Sequence, residues 1–85
     1  MPMEKSIHTN EYALFLEILR ETRERAGITQ LDVATQLKAT KTFVSKCERG
    51  ERRLDIVELR QWCEAINTTL GEFSSRFDAE CKKMA

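Results

Sequence analysis

Two helix-start signals lie close together in the stretch from Gly27 to Asp55, GITQLDVATQLKATKTFVSKCERGERRLD. Thr29 is followed three residues later by Asp32, the spacing of a capping box, and Thr40 offers a second capping hydroxyl. Between them is room for one short helix, Gln30 to Leu37; after Thr40 a second runs from Lys41 to about Arg49, where Gly50 stops it. Helices of about two turns do not persist alone in water. The stretch therefore folds only if the flanking segments brace it, and those segments must also be helical to present an apolar stripe to it.

The flanks meet that demand. A chain of 85 residues suffices for one domain and one modest core, and one Pro and three Gly favour helices over a turn-rich sheet. Residues 1–9 show no periodicity and are expected to form a flexible arm, with residues 10–85 as the single domain. Asn10 is placed to cap a first helix from Glu11 to Ala26, closed by Gly27. Tyr12, Phe15, Leu19, Thr22 and Ala26 share one face of it. Leu14 and Ile18 add a second apolar strip, so this helix is buried on two sides or meets a partner.

In the second helix Ile28, Leu31, Ala34 and Leu37 are expected to point inward, and in the third Val44 and Cys47. Asp55 with Glu58 opens a fourth helix whose buried stripe is Ile56, Leu59, Trp62, Cys63 and Ile66, with Asn67 at its end. Thr69 with Glu72 opens a fifth, where Leu70, Phe73, Phe77 and Cys81 fall on one face, packed on the first helix or on a second subunit. The expected fold is all-α: a compact domain of five helices.

Several function classes recede. The N-terminus lacks the basic-then-apolar run of a signal peptide and no segment approaches the length of a membrane span, so a bacterial cytoplasmic or nucleoid location is expected. Cys47, Cys63 and Cys81 are odd in number and free of metal-ligand spacing, which points to reduced thiols with neither a disulfide frame nor a metal. His8, the single histidine, falls in the arm, and no Cys has a histidine nearby in sequence to act as its base. An enzyme is not expected, nor is any cofactor.

Charge is informative by its distribution. The formal net charge is zero, yet between Lys38 and Arg53 six cations stand against two carboxylates, and the segments on either side are each acidic in balance. A neutral chain with a basic middle has a pole. On the third helix, turning Val44 and Cys47 inward leaves Lys41, Thr42, Ser45, Lys46 and Arg49 outward, with Phe43 at the edge. Short polar and basic side chains on one helix, braced by a second that passes close at the small Ala34, are what a reader of the DNA major groove requires.

With GITQ at the start of the second helix, Ala34, the FVSKCERG run and the basic GERRLD tail, Gly27 to Asp55 resembles the helix-turn-helix of the phage repressor and Cro-type (XRE) family, and the likeness extends over roughly Glu11 to Phe77. The resemblance implies a small transcriptional regulator, by expectation a repressor, bound to double-stranded DNA as a homodimer on a pseudo-palindromic operator. It places Lys41, Thr42, Phe43, Ser45 and Lys46 where base edges are read. Gln30 would hydrogen-bond a phosphate through its side chain and backbone N–H and reach toward a base. Thr29, Lys38, Thr40, Arg49, Arg52 and Arg53 would meet the phosphate backbone.

By the same resemblance Arg23 and Glu48 form a buried ion pair. Lys38 stands where the family's turn carries Gly, and Ala39 where it carries a larger aliphatic residue; the first implies a conformational cost, the second thin packing. Leu14, Ile18, Leu70, Phe73 and Phe77 are the candidate dimer surfaces. The alternative is a protein-interaction module or antitoxin-like subunit of the same fold, whose partner is a toxin or co-regulator.

Overall fold

A computed structural model describes residues 9–84 of the chain; the expected N-terminal arm lies almost wholly outside these. Among the described residues there are five α-helices and no strand: α1 (Asn10–Arg25), α2 (Gln30–Leu37), α3 (Lys41–Glu48), α4 (Ile56–Ala65) and α5 (Leu70–Met84).

Each helix starts where a side-chain oxygen can accept an otherwise orphaned backbone N–H. The first cap is Thr9 rather than Asn10: its hydroxyl accepts from Tyr12 N at 3.1 Å, and Asn10 is already helical. Both residues are able caps, and the extended backbone at Thr9 decides between them. Thr29 and Asp32 form the full capping box of α2, as do Asp55 and Glu58 in α4, and Thr40 caps α3. At α5 Thr69 accepts from Glu72 N, but the Glu72 carboxylate meets the Thr69 hydroxyl instead of its backbone.

The helix exits use left-handed backbone. Gly27 and Gly50 adopt φ of 72° and 80°, and Asn67 takes 62° after α4. At Gly50 the left-handed backbone favours glycine, and a Cβ there would stand 2.9 Å from Leu16 Cδ1, a side-chain end that would have to shift. In the α2–α3 turn, Lys38 takes up φ 56° and ψ 42°, the left-handed conformation expected from its place in the turn.

α2 packs on α3 and α4, while α1 spans from α3 to α5 and α4 closes against α5. The core so formed contains Phe15, Ile18 and Leu19 of α1, Val33 and Ala34 of α2, Val44 and Cys47 of α3, Trp62 and Cys63 of α4, then Ile66 and Phe73. Phe15 meets both Phe73 and Phe77 edge-on, at 5.7 and 5.9 Å between centroids. The apolar face of α5 therefore packs on α1 of its own chain.

This corrects the dimer surface. Ile18 is 2% and Phe73 3% exposed, so neither is available to a second copy; Leu14, Leu70 and Phe77 are half-buried. The second apolar strip on α1 exists because the helix is wedged between α3 and α5. Two inward assignments also fail. Leu31 is exposed while Val33 is fully buried, because the core-facing side of α2 is centred on Val33, Ala34 and Leu37 and leaves Leu31 on its flank. Ile56 is exposed because the first turn of α4 projects beyond the elements that cover Trp62 and Cys63. Beside Ala39 is a hollow of about 120 Å³, lined by Leu37, Phe43, Leu54, Glu58, Gln61 and Trp62, where the small side chain leaves space.

Candidate nucleic-acid interface

α3 has two unlike sides. Val44 and Cys47 are fully buried, while Lys41, Thr42 and Lys46 are exposed and Ser45 is half-buried. The N-terminal half of that outer side faces the start of α2, so that Gln30, Lys41, Thr42, Ser45 and Arg49 together line a hollow of about 250 Å³. A broader depression of about 620 Å³ continues from it along Thr29, Leu31, Ile28 and Gly27, and shares Gln30 and Lys41 with the first. Gln30, expected at the phosphate backbone, thus stands among the expected base readers.

The joint between the helices beneath this surface is ionic. Arg23 on α1 donates Nε to Glu48 Oε2 at 2.7 Å and Nη2 to Oε1 at 3.1 Å, while its Nη1 reaches the Ile28 carbonyl at 2.9 Å. The two side chains are only 10% and 4% exposed. Glu48 Oε1 also accepts from Gln30 Nε2 at 3.0 Å. One carboxylate therefore ties α1, the start of α2 and the end of α3 together. Removing either charge strands the other in low dielectric, at a cost of about 3–5 kcal/mol.

The remaining predicted residues are dispersed. The hydroxyls of Thr29, on the depression beside Gln30 and Lys41, and of Thr40 accept cap hydrogen bonds and keep their O–H to donate. Lys38 lines a separate hollow with Gln36, Leu37, Gln61, Glu64 and Ala65, toward α4. Phe43 is half-buried against the core, and the Arg52 guanidinium lies 4.8 Å above its ring. It roofs the hollow beside Ala39 instead of standing among Lys41 and Thr42.

Partners for Arg49 and Arg52 were not foreseen from the sequence. Arg49 is held by Glu51 at 2.6 Å and donates to the Ser45 hydroxyl; Arg52 is held by Glu58 at 2.9 Å. The hydrogen bond from Arg49 holds the Glu51 carboxyl below its usual range, and Arg52, helped by the Asp55 N–H, does the same for Glu58. Arg53 lies 4.7 Å above the Tyr12 ring. Among the described residues no carboxylate stands within ion-pair distance of Lys41 or Lys46; Glu51, already held by Arg49, also feels the charge of Lys46. Pairs two and six residues apart follow no helical period, and only Glu51, so near Arg49, was a visible signal.

Residues 15–74 match a family model described as a helix-turn-helix domain. An XRE-family-like protein from Pseudomonas syringae pv. tomato str. DC3000 is 40% identical, over 87% of this chain and 90% of that one, with a TM-score of 0.81. The chain belongs to the XRE family of helix-turn-helix proteins. In this XRE-type chain α2 and α3 are the helix-turn-helix. Two more distant structures share the fold. The restriction-modification controller protein C.Esp1396I, solved as a tetramer with its natural 35 base-pair operator, is 22% identical over 86% of this chain and 96% of that one, with a TM-score of 0.76. The clp gene regulator ClgR from C. glutamicum is 18% identical over 86% and 95%, with a TM-score of 0.73. A search of curated protein sequences returns no match. Among the described residues no helix is long and apolar enough to cross a membrane, and no cluster of His, Cys, Asp or Glu is arranged to hold a metal.

Proposed function

We infer that the chain is a sequence-specific double-stranded DNA-binding regulator, by preference a repressor, that inserts α3 into the major groove and acts as two copies on a pseudo-palindromic site. The observation that carries this reading is the outer side of α3: Lys41, Thr42 and Lys46 exposed, neither lysine in a close ion pair among the described residues, on a chain whose net charge is zero. Lysine donates to guanine O6 and N7, and threonine offers a hydroxyl and a methyl for thymine. Phosphate is met from around this side by the free backbone N–H groups at the start of α2 and by Arg52 and Arg53 in the loop after α3. One such helix reads only about three or four base pairs, too few to specify a site, which is why two copies are required.

The test is selection of bound sequences from random duplex DNA, then titration of the selected duplex against salt. A pseudo-palindrome is expected, with log K falling by roughly 0.9 per phosphate neutralised for each unit of log salt. Lys46→Ala is expected to relax preference at one base, and Arg52→Ala to weaken all duplexes together. Failure to enrich any motif would move the assignment to the protein-interaction module, for which the exposed Ile56 and Val57 would then be the first surface to examine.

A further inference from the structure

Two neighbouring residues of the α2–α3 turn border one cleft against α4. Lys38 takes the left-handed backbone at φ 56°, which glycine adopts without steric cost, and lines a hollow of about 290 Å³. Ala39 is small and leaves the hollow of about 120 Å³ beside it. The two hollows share Leu37 and Gln61, so the first is the polar mouth of a cleft and the second its inner end. Leu37 of α2, Phe43 of α3, Leu54 of the next loop and Trp62 of α4 wall the inner end, with Glu58 and Gln61 at its edge. An occupant there touches both helices of the helix-turn-helix.

The cleft has a definite chemistry. Trp62 is fully buried, and its indole N–H meets no acceptor among the described residues. A buried donor without an acceptor is costly, and an oxygen brought in from outside the chain removes that cost. Both carboxylates that line the cleft are already held: Glu58 by Arg52 at 2.9 Å and by the Asp55 N–H, Glu64 by Arg60 at 3.6 Å. Lys38 is exposed and stands in no close ion pair among the described residues. From the inside outward the cleft therefore offers an indole donor, apolar walls and a cation. Its complement is a short apolar body that carries an acceptor oxygen and ends in a negative charge.

We propose that the cleft between the α2–α3 turn and α4 binds a small organic acid, with its carboxylate at Lys38 and its oxygen-bearing apolar body in the hollow beside Ala39, against Trp62. An apolar cavity of about 150 Å³ holds benzene, so the inner end suits a somewhat smaller body, a branched chain of about four carbons. Trapped water is the rival occupant, but a water seeks about two to four polar partners and most of these walls are apolar. The site does not use the outer side of α3 and stands apart from the DNA-binding reading.

Trp62 is the only tryptophan of the chain, so its indole N–H gives a single cross-peak in the nitrogen–proton correlation spectrum of the labelled full chain. Three probes are titrated against it: α-ketoisovalerate, its uncharged methyl ester, and isovalerate, which keeps the charge and lacks the oxo group. α-Ketoisovalerate is expected to shift the indole peak saturably, with a dissociation constant on the order of 1 mM. The ester, and Lys38→Gln with the acid, should each bind about fivefold more weakly, as expected for one exposed charge pair. Isovalerate should bind more weakly and leave the indole peak near its free position. Ala39→Leu, checked by its thermal melt, fills the inner end and is expected to abolish binding; Ala39→Val serves the same purpose if the leucine variant does not fold. An indole peak that stays still, drifts without saturating, or shifts equally in the Ala39 variants overturns the site. Undiminished binding of the ester, together with undiminished binding by Lys38→Gln, overturns the assignment to an acid. Isovalerate binding as tightly as the oxo acid overturns the part given to Trp62 and leaves its N–H to water.

Discussion

Lys38 bears a conformational cost that the rest of the turn does not share. Its backbone occupies the left-handed region at φ 56°, where a Cβ crowds the following carbonyl, and its side chain is exposed without a described ion-pair partner to offset this. The backbone there still closes α2: Lys38 N–H reaches Thr35 O at 3.3 Å and Ala39 N–H reaches Ala34 O at 2.8 Å. Lys38→Gly is therefore expected to stabilise the fold by about 1 kcal/mol, read as a higher denaturation midpoint in urea with an unchanged slope. A lowered midpoint would mean that the aliphatic stem beside Gln61 and Ala65 contributes more by packing than the left-handed backbone costs. The same variant separates stability from binding. If Lys38 touches phosphate, the protein gains stability while its affinity for every duplex falls, whereas a lysine directed only toward α4 leaves affinity intact.

Helix starts were the most legible part of this chain because capping is local: Thr29, Thr40, Asp55 and Thr69 each act on a residue three positions away. Coverage is not local, and there the reading failed. Periodicity puts Ile56 in line with Leu59 and Cys63 but says nothing of where the covering helices end, and it cannot tell that the strip containing Ile18 meets α5 instead of another chain. The outward-facing residues of α3 were legible from their step angle, whereas the link from Gln30 to Glu48, eighteen residues apart, required the assembled helices. Glu58 shows both behaviours. It completes the α4 capping box by accepting from Asp55 N at 3.0 Å, which is local, and it anchors Arg52 of the preceding loop, which is not. Both contacts favour its charged form and depress its pKa, so the stability it contributes is complete above the ordinary carboxylate value of about 4.3 and is lost as pH falls through the lower folded-state value. Wild type is expected to exceed Glu58→Ala by about 1 kcal/mol near neutrality, with the gap closing in acid. Urea melts of both proteins at a series of pH values check this, and a gap that does not depend on pH would show that packing of the side-chain stem, not its charge, is what α4 uses.

For the whole molecule, the two copies proposed for one operator would require a seam, and packing removes the surfaces first considered. Substituting Ile18 or Phe73 would empty the core of the single chain, so any loss of association would follow from unfolding. The large apolar side chains still exposed among the described residues are Leu31, Ile56, Val57 and Met84. Leu31 borders the depression beside Gln30 and Lys41, on the side assigned to DNA. Ile56 and Val57 are adjacent, each more than 60% exposed, at the end of α4 that follows the Arg52–Arg53 loop. Contact there between two copies would keep their basic loops near a common axis. A two-fold seam uses the same patch from both sides, so one substitution acts twice. Val57→Glu brings two like charges together in the pair, while in the single chain it changes only a solvent-facing position. Sedimentation at micromolar concentration is expected to show association in the wild type and single chains for Val57→Glu, with the thermal midpoints alike. Affinity for the full pseudo-palindrome should fall while that for an isolated half-site is retained. Unchanged association by Val57→Glu would place the seam elsewhere, with the exposed Met84 end of α5 the next surface to test.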